Sequence, residues 1–102
     1  MEEQSVNASE IPWKQTAAGQ QRKILRCGPD GKPRVALIKL EPGFEMAEHS
    51  HDFAENHYVL EGMYESQGTE YAAGVYHFIP GHASHGPVRS PGGARILVSW
   101  ER

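Results

Sequence analysis

The chain has 102 residues, a net charge of −3, a mean hydropathy of −0.59 and a single cysteine, Cys27. This length is that of one domain, and the acidic balance with ten scattered basic residues argues against nucleic acid or an acidic membrane surface as a partner. One cysteine cannot form an internal disulfide, and no apolar stretch is long enough to span a membrane. Since the acidic start also lacks an apolar signal segment, we expect a cytoplasmic protein.

The order of polar, apolar and turn residues along the chain predicts an arm followed by a β domain. Residues 1–20 are polar and interrupted by Pro12 and Gly19, and we expect them to form an N-terminal arm that docks through Ile11–Trp13. From 21 to 102, Gly- and Pro-rich turns separate short β-type runs, which lie at 22–27, 34–40, 56–62, 69–74, 75–80 and 94–100. No sustained helical period interrupts them, so we predict an all-β fold, as a sandwich or a closed antiparallel barrel.

The six histidines all lie between residues 49 and 85. His49 and His51 are one residue apart, a spacing that points both side chains to the same face of a strand. Glu55 follows across a short bend, and His85 comes after a Pro-Gly turn where another strand is expected to start. Three imidazoles and one carboxylate suit one divalent transition metal, Fe, Mn, Ni, Cu or Zn. A six-coordinate ion would keep two positions open for water, oxygen or a chelating substrate.

Two simpler interpretations stay open for the same residues. A His-x-His pair by itself is as typical of a polar strand face as of a metal site. Glu55 is either a ligand or a solvated charge, the second case leaving three histidines to hold the metal.

The spacing of these residues resembles a known family pattern. Gly43, His49, His51, Glu55 and Gly62 match every fixed position of the first cupin motif. This resemblance implies a cupin-type antiparallel β-barrel, also called a jelly roll or double-stranded β-helix. It also implies a metal held by the histidines and the glutamate of the motif.

A second stretch is similar to the second cupin motif. Gly74 and Pro80 are followed by His85 at the spacing of the third histidine ligand. The glycine of the motif is expected at position 82, where this chain has His82, and its asparagine is expected at Arg89. The chain also resembles ChrR-type cupin domains, less specifically, at Trp13, Ile24–Leu25, Asp30–Gly31 and the segment 40–43.

Other polar side chains are candidates for roles beside the metal. Strand parity places His57 on the interior face with Glu55, so it is a candidate acid or base with the alternative of a hydrogen-bonded core histidine. Arg89 and Arg95 are candidate partners for a substrate carboxylate, because a guanidinium binds carboxylates through two hydrogen bonds. His82 is a candidate for the mouth of the pocket. A solvated surface position is the competing interpretation for these last three.

Two functions from different classes follow. The first is a metal-dependent enzyme of oxygenase or isomerase type that acts on a small polar molecule bound at the open metal positions. The second is a non-catalytic binding or sensing module with a structural zinc. In either case the outward-facing Tyr58 and Leu60 predict an apolar outer sheet face, and we expect a two-fold homodimer to bury it.

Overall fold

The computed structural model describes residues 2–101, which fold almost entirely into strands. A short 3-10 helix, Ala8–Glu10, precedes eleven strands. The strands are β1 Lys14–Ala17, β2 Gln20–Cys27, β3 Pro33–Leu40, β4 Phe44–Met46, β5 His49–Ser50, β6 Ala54–Ser66, β7 Thr69–Ala72, β8 Tyr76–Ile79, β9 Ser84–His85, β10 Val88–Ser90 and β11 Ala94–Glu101. The all-β prediction is confirmed. Within residues 2–101, no helix has the length and apolar character that crossing a membrane requires.

Every strand pairing is antiparallel, and β6 is the centre of the architecture. The main sheet has the order β1-β2-β3-β11-β6-β10-β4, and β7 and β8 also pair with β6. Strands β5 and β9 form a separate two-stranded ribbon. The 13 residues of β6 therefore connect both halves of a curled sheet, whose concave side encloses the core.

Side-chain alternation explains which face of each strand is buried. In β11, Ala94, Ile96 and Val98 are buried while Arg95 between them is exposed, the period of two expected for a strand with one face in the core. The core cluster consists of Leu40, Phe44, Val59, Tyr64, Val88, Ala94, Ile96 and Val98. It lies within the curl of the sheet, and most of its members also line the cavity described below.

The segment predicted as an arm contributes a strand of its own. Residues 14–17 form β1, which pairs with β2 along the edge of the sheet. Trp13 lies under the ammonium group of Lys23, 4.7 Å from the ring centroid, and Lys23 donates a hydrogen bond to the carbonyl of Ala8 at 2.7 Å. These contacts hold the N-terminal segment on the sheet at Trp13, one of the predicted docking residues. The boundary at residue 20 stays a prediction.

Gly62 lies where β6 bends between the two halves of the sheet. Its φ is +73°, a left-handed conformation that glycine adopts without steric cost. A Cβ at this position would lie 2.1 Å from the carbonyl oxygen of Gly93 and 2.9 Å from Cα of Ala94. The bend therefore requires a residue without a side chain.

Candidate metal centre

The β5–β9 ribbon brings the motif histidines together. His49 is the register partner of His85, so residues 36 positions apart in the chain face each other across the ribbon. The ring centroids of His49 and His85 are 4.1 Å apart, and that of His51 lies 4.8 Å from His49 and 5.2 Å from His85. One nitrogen from each of the three rings lies within 4.8 Å of the others. The three rings are therefore close enough together that they could hold one metal ion.

The hydrogen bonding of these rings fits a metal. Both ring nitrogens of His85 are buried without a hydrogen-bond partner among the described residues, a costly state unless an electron pair is used by a ligand. Nδ1 of His49 donates to the carbonyl of Ala47 at 2.9 Å, which leaves Nε2 of that ring with its lone pair free. Burial, and then the neighbouring His49, lower the pKa of His85 to about 4, so its ring is neutral at neutral pH. Neutral imidazole is the form that binds a metal.

Glu55 contacts His51, lies outside the group of three mutually close histidines, and is held by several donors. Its Oε2 is 3.1 Å from Nε2 of His51 and accepts a hydrogen bond from the indole of Trp100 at 3.1 Å. Its Oε1 is 2.8 Å from Nε2 of His57. Burial by itself raises the pKa of Glu55, but the hydrogen bond and charge of His57, the charge of His51 and the Trp100 bond outweigh it and lower the pKa. The side chain is therefore a buried carboxylate at neutral pH.

A chain of hydrogen bonds leads from this carboxylate to the outer part of the barrel. Nδ1 of His57 lies 3.0 Å from the hydroxyl of Tyr64, and the same hydroxyl lies 2.7 Å from Nδ1 of His77. Because a carboxylate only accepts, Nε2 of His57 donates to Glu55, and the Tyr64 hydroxyl lies between Nδ1 of His57 and Nδ1 of His77. Tyr71 stacks on the His77 ring at 3.9 Å between centroids. The Tyr64 hydroxyl thus connects His77 to the Glu55–His57 pair.

Burial explains why the side chains of Tyr64 and His77 stay in their neutral forms. Tyr64 is 2% exposed, and burial, followed by the nearby Tyr71 and Glu55, raises its pKa. Burial and the neighbouring His57 lower the pKa of His77. The phenol of Tyr64 and the imidazole of His77 are therefore uncharged at neutral pH.

We expect Tyr64→Phe to destabilise the protein by about 1–3 kcal/mol, because it leaves Nδ1 of His57 and Nδ1 of His77 without their shared partner in a buried site. Denaturant unfolding measures this change. Tyr71→Phe is the matched control, since its ring packs on Tyr64 and His77 while its hydroxyl makes no hydrogen bond within residues 2–101. Equal effects of the two substitutions would contradict the role given to the Tyr64 hydroxyl.

A cavity of about 440 Å³ opens beside the histidines, within the range of small-molecule sites. Its wall is largely apolar, formed by inward side chains such as Ile38, Leu40, Phe44, Met46, Ile96 and Val98. The polar groups in the wall are Gln20, Arg22, His49, His51, Glu55, His57, Tyr64 and His85. The predicted metal ligands and His57 therefore share one cavity.

The three other predicted site residues do not line this cavity. Arg89 is exposed and pairs with Glu65 at 3.0 Å, and Arg95 is exposed, 3.9 Å from Glu61. Both alternate with buried neighbours in their strands, which turns the arginines outward. His82 is exposed in the turn before β9, where its φ of +62° explains why the motif has glycine there. Its backbone N–H donates to the carbonyl of His51 at 2.6 Å, so the residue contributes to the turn.

Sequence reasoning missed four side chains of this region. Trp100 reaches Glu55 from β11, and His77 lies opposite His57 through the register of β6 and β8. Tyr64 contacts His57 from a position seven residues further along β6. Arg22 enters the cavity wall from β2. Arg22 is two residues from the apolar Ile24 and therefore shares its strand face. This is the one local signal in the sequence that Arg22 faces the interior.

Comparison with known proteins decides the family. The model of the ChrR cupin-like domain matches residues 1–100, almost the whole chain. The chain belongs to the ChrR cupin-like family. The predicted resemblance to small cupins is thereby confirmed. No curated protein matches this cupin at the level of sequence.

Solved structures show the same fold. An acetylacetone dioxygenase from Acinetobacter johnsonii superposes with a TM-score of 0.84 at 19% identity, covering 98% of this cupin and 74% of that chain. The polyketide cyclase RemF from Streptomyces resistomycificus gives 0.79 at 21% identity, with 97% and 80% covered. The Rhodobacter sphaeroides complex of SigE with the anti-sigma ChrR gives 0.77 at 22% identity, covering 93% of this cupin and 52% of that chain. At these identities the likeness concerns the fold.

Proposed function

We propose that this cupin is a metal-dependent enzyme of oxygenase or isomerase type that acts on a small polar molecule bound in the barrel. The observation that carries the proposal is the cavity of about 440 Å³ that opens on the three-histidine cluster. A structural zinc is normally closed off by four protein ligands, whereas a catalytic metal keeps a position open beside a space for substrate. The solved structures of similar fold include an acetylacetone dioxygenase and a polyketide cyclase, which agrees with a catalytic use of this fold.

The proposed ligands of one divalent transition metal (Fe, Mn, Ni, Cu or Zn) are His49, His51 and His85, joined by Glu55. Oε2 of Glu55 lies 3.1 Å from Nε2 of His51, so the carboxylate would be near enough to bind the same ion as this histidine. When bound, such a metal supplies Lewis-acid activation of substrate oxygens and, if it is iron, reaction with dioxygen.

The apolar cavity wall and His57 would each support this chemistry. The apolar wall excludes water around the substrate, which strengthens electrostatic interactions inside the cavity. His57 holds Oε1 of Glu55 and so orients the carboxylate beside His51. The role of His57 as acid or base stays a proposal, and since both its ring nitrogens are already hydrogen-bonded, a proton would move through Glu55 or Tyr64.

Elemental analysis of untagged protein, purified without chelator, tests the proposal together with turnover assays on the metal-loaded protein. We expect about one iron or manganese per chain and consumption of oxygen or conversion of a small oxygen-bearing substrate. One tightly held zinc, with no turnover and a loss of thermal stability on its removal, would support the second function. A protein that binds no transition metal would contradict both.

The second candidate function is a binding or sensing module with a structural zinc. The match to the ChrR cupin-like domain favours it, because a solved structure of similar fold contains an anti-sigma factor in complex with SigE. The open cavity and the buried Glu55–His57–Tyr64 chain favour catalysis instead. If the zinc form binds a small molecule and its association with another protein changes as a result, this would support the sensing function.

We also propose a cytoplasmic homodimer. The outer face of β6 and β8 exposes a group of large apolar side chains, Tyr58, Leu60, Tyr76 and Phe78, between 42% and 58% accessible. A two-fold contact would bury this face. Light scattering at micromolar concentration is expected to give twice the 11.3 kDa chain mass, and a particle of one chain would contradict the dimer.

A further inference from the structure

The wall of the cavity contains a guanidinium group, that of Arg22. This residue lies in β2, and its side chain is part of the cavity wall together with Gln20 from the same face of the strand. Among the described residues that line the cavity, Arg22 is the only arginine or lysine. Its charge is permanent, since a guanidinium does not lose its proton in proteins.

Arg22 has no ion-pair partner among residues 2–101. Its Nε is buried without a hydrogen-bond acceptor, and no carboxylate of residues 2–101 forms an ion pair with it. In contrast, Arg89 and Arg95 lie beside Glu65 and Glu61. A buried donor without an acceptor costs free energy, so an anionic ligand that supplies the acceptor is stabilised there.

The main sheet separates Arg22 from Glu55. The strand order β2-β3-β11-β6 puts three strand spacings, about 14 Å along the curled sheet, between Arg22 and β6. The register runs from Arg22 through Ile38 and Ile96 to Val59, four residues along β6 from Glu55, and both isoleucines line the cavity. The cavity wall therefore has apolar side chains between the guanidinium of Arg22 and the carboxylate of Glu55.

We propose that Arg22 binds a carboxylate of the substrate, and that the substrate is a small acid whose opposite end carries the oxygens directed to His49, His51 and His85. This inference rests on the proposed function and adds the substrate class. A guanidinium presents parallel N–H donors that match the two oxygens of a carboxylate. The apolar side chains between Arg22 and Glu55 suit a short hydrocarbon link between the two oxygen-bearing ends.

Calorimetric titration of the metal-loaded protein tests the proposal with matched probes. The probes are 2-oxo dicarboxylic acids of five and six carbons and their ω-amides, which keep shape while removing the distal charge. We expect at least one acid to bind about tenfold to a hundredfold more tightly than its amide. Arg22→Gln is expected to remove this difference, and Arg22→Lys to restore part of it, because lysine keeps the charge without the planar pair of donors.

Arg26→Gln is the control, because Arg26 lies in the same strand but is exposed and outside the cavity wall. It is expected to keep the preference for the acid. Equal binding of acid and amide to the parent protein, an unchanged preference in Arg22→Gln, or no binding of either acid at millimolar concentration would overturn the inference.

Metal removal separates this inference from the proposed function. If acid binding requires the metal but Arg22→Gln leaves the preference intact, the proposed function survives and the role of Arg22 fails. If the preference depends on Arg22 but the acid binds equally tightly with and without metal, the role of Arg22 stands and binding of the substrate at the metal is contradicted. Metal content and thermal unfolding of each variant confirm that the same folded state is compared.

Discussion

Replacing His85 by alanine is expected to weaken metal binding by more than the roughly 10- to 100-fold that loss of a supporting residue around a metal costs. His85 is the buried member of the three-histidine cluster. Its two ring nitrogens make no hydrogen bond within residues 2–101, so the structure offers them no other polar role. Metal content after dialysis, and titration with Co(II) followed by its visible spectrum, measure the loss.

The same variant separates a metal ligand from a structural histidine through its stability. Because the His85 ring makes no hydrogen bonds within the part of the chain that the structure describes, we expect the metal-free variant to lose only the packing contribution of the ring. The metal-loaded parent should gain stability that the variant does not gain, since a ligand that binds only the folded state adds RT ln(1 + [L]/Kd). His82→Gly is the control, as it removes a nearby imidazole at a left-handed position that glycine accepts. Equal metal content in the His85→Ala variant and the parent would contradict the assignment.

Replacing Gly62 by alanine is expected to destabilise the fold by about 3 kcal/mol or more. The new Cβ would lie 2.1 Å from the carbonyl oxygen of Gly93, so one of two paired backbone segments must move. The positive φ of 73° adds its own cost of about 1–2 kcal/mol for a residue with a side chain. A loss of this size lowers the melting temperature of a domain of this length by at least about 10 °C.

Gly68→Ala is the matched control for this substitution. Gly68 has a similar φ of +81°, but nothing lies within 4 Å of the position that its Cβ would occupy. It is expected to cost only the conformational part, about 1–2 kcal/mol. The difference between the two variants, measured by denaturant unfolding, isolates the contact between β6 and the turn before β11. If Gly62→Ala were no worse than Gly68→Ala, the close approach at Gly62 would not determine the bend.

Strand period accounts for what local sequence predicts well. His57 lines the cavity while Tyr58 and Leu60 are exposed, since successive residues of a strand point to opposite faces. The same rule, applied to Arg89 and Arg95, turns both outward, because Val88, Ala94 and Ile96 beside them are buried. The prediction that these two arginines bind a substrate carboxylate used the chemistry of arginine and did not use the parity of the neighbouring residues.

Cross-strand register accounts for what the sequence did not reveal. Trp100 meets Glu55 because β11 pairs with β6 in the register that sets these two residues opposite each other. His77 faces His57 in the same way, and one Tyr64 hydroxyl joins both rings. Such pairs are separated by 20 to 45 residues in the chain, and local residue patterns carry no information about them.

The sequence by itself determined the all-β class, the cupin resemblance and the histidines that the ribbon gathers, because the spacings from Gly43 to Gly62 and from Gly74 to His85 are local and belong to single strands and turns. Only the tertiary structure decided what surrounds them. The curling of the sheet brings Arg22 from β2 into the same cavity as Glu55 on β6, three strands away. Contacts between distant strands depend on register and curvature, which arise from packing of the whole sheet.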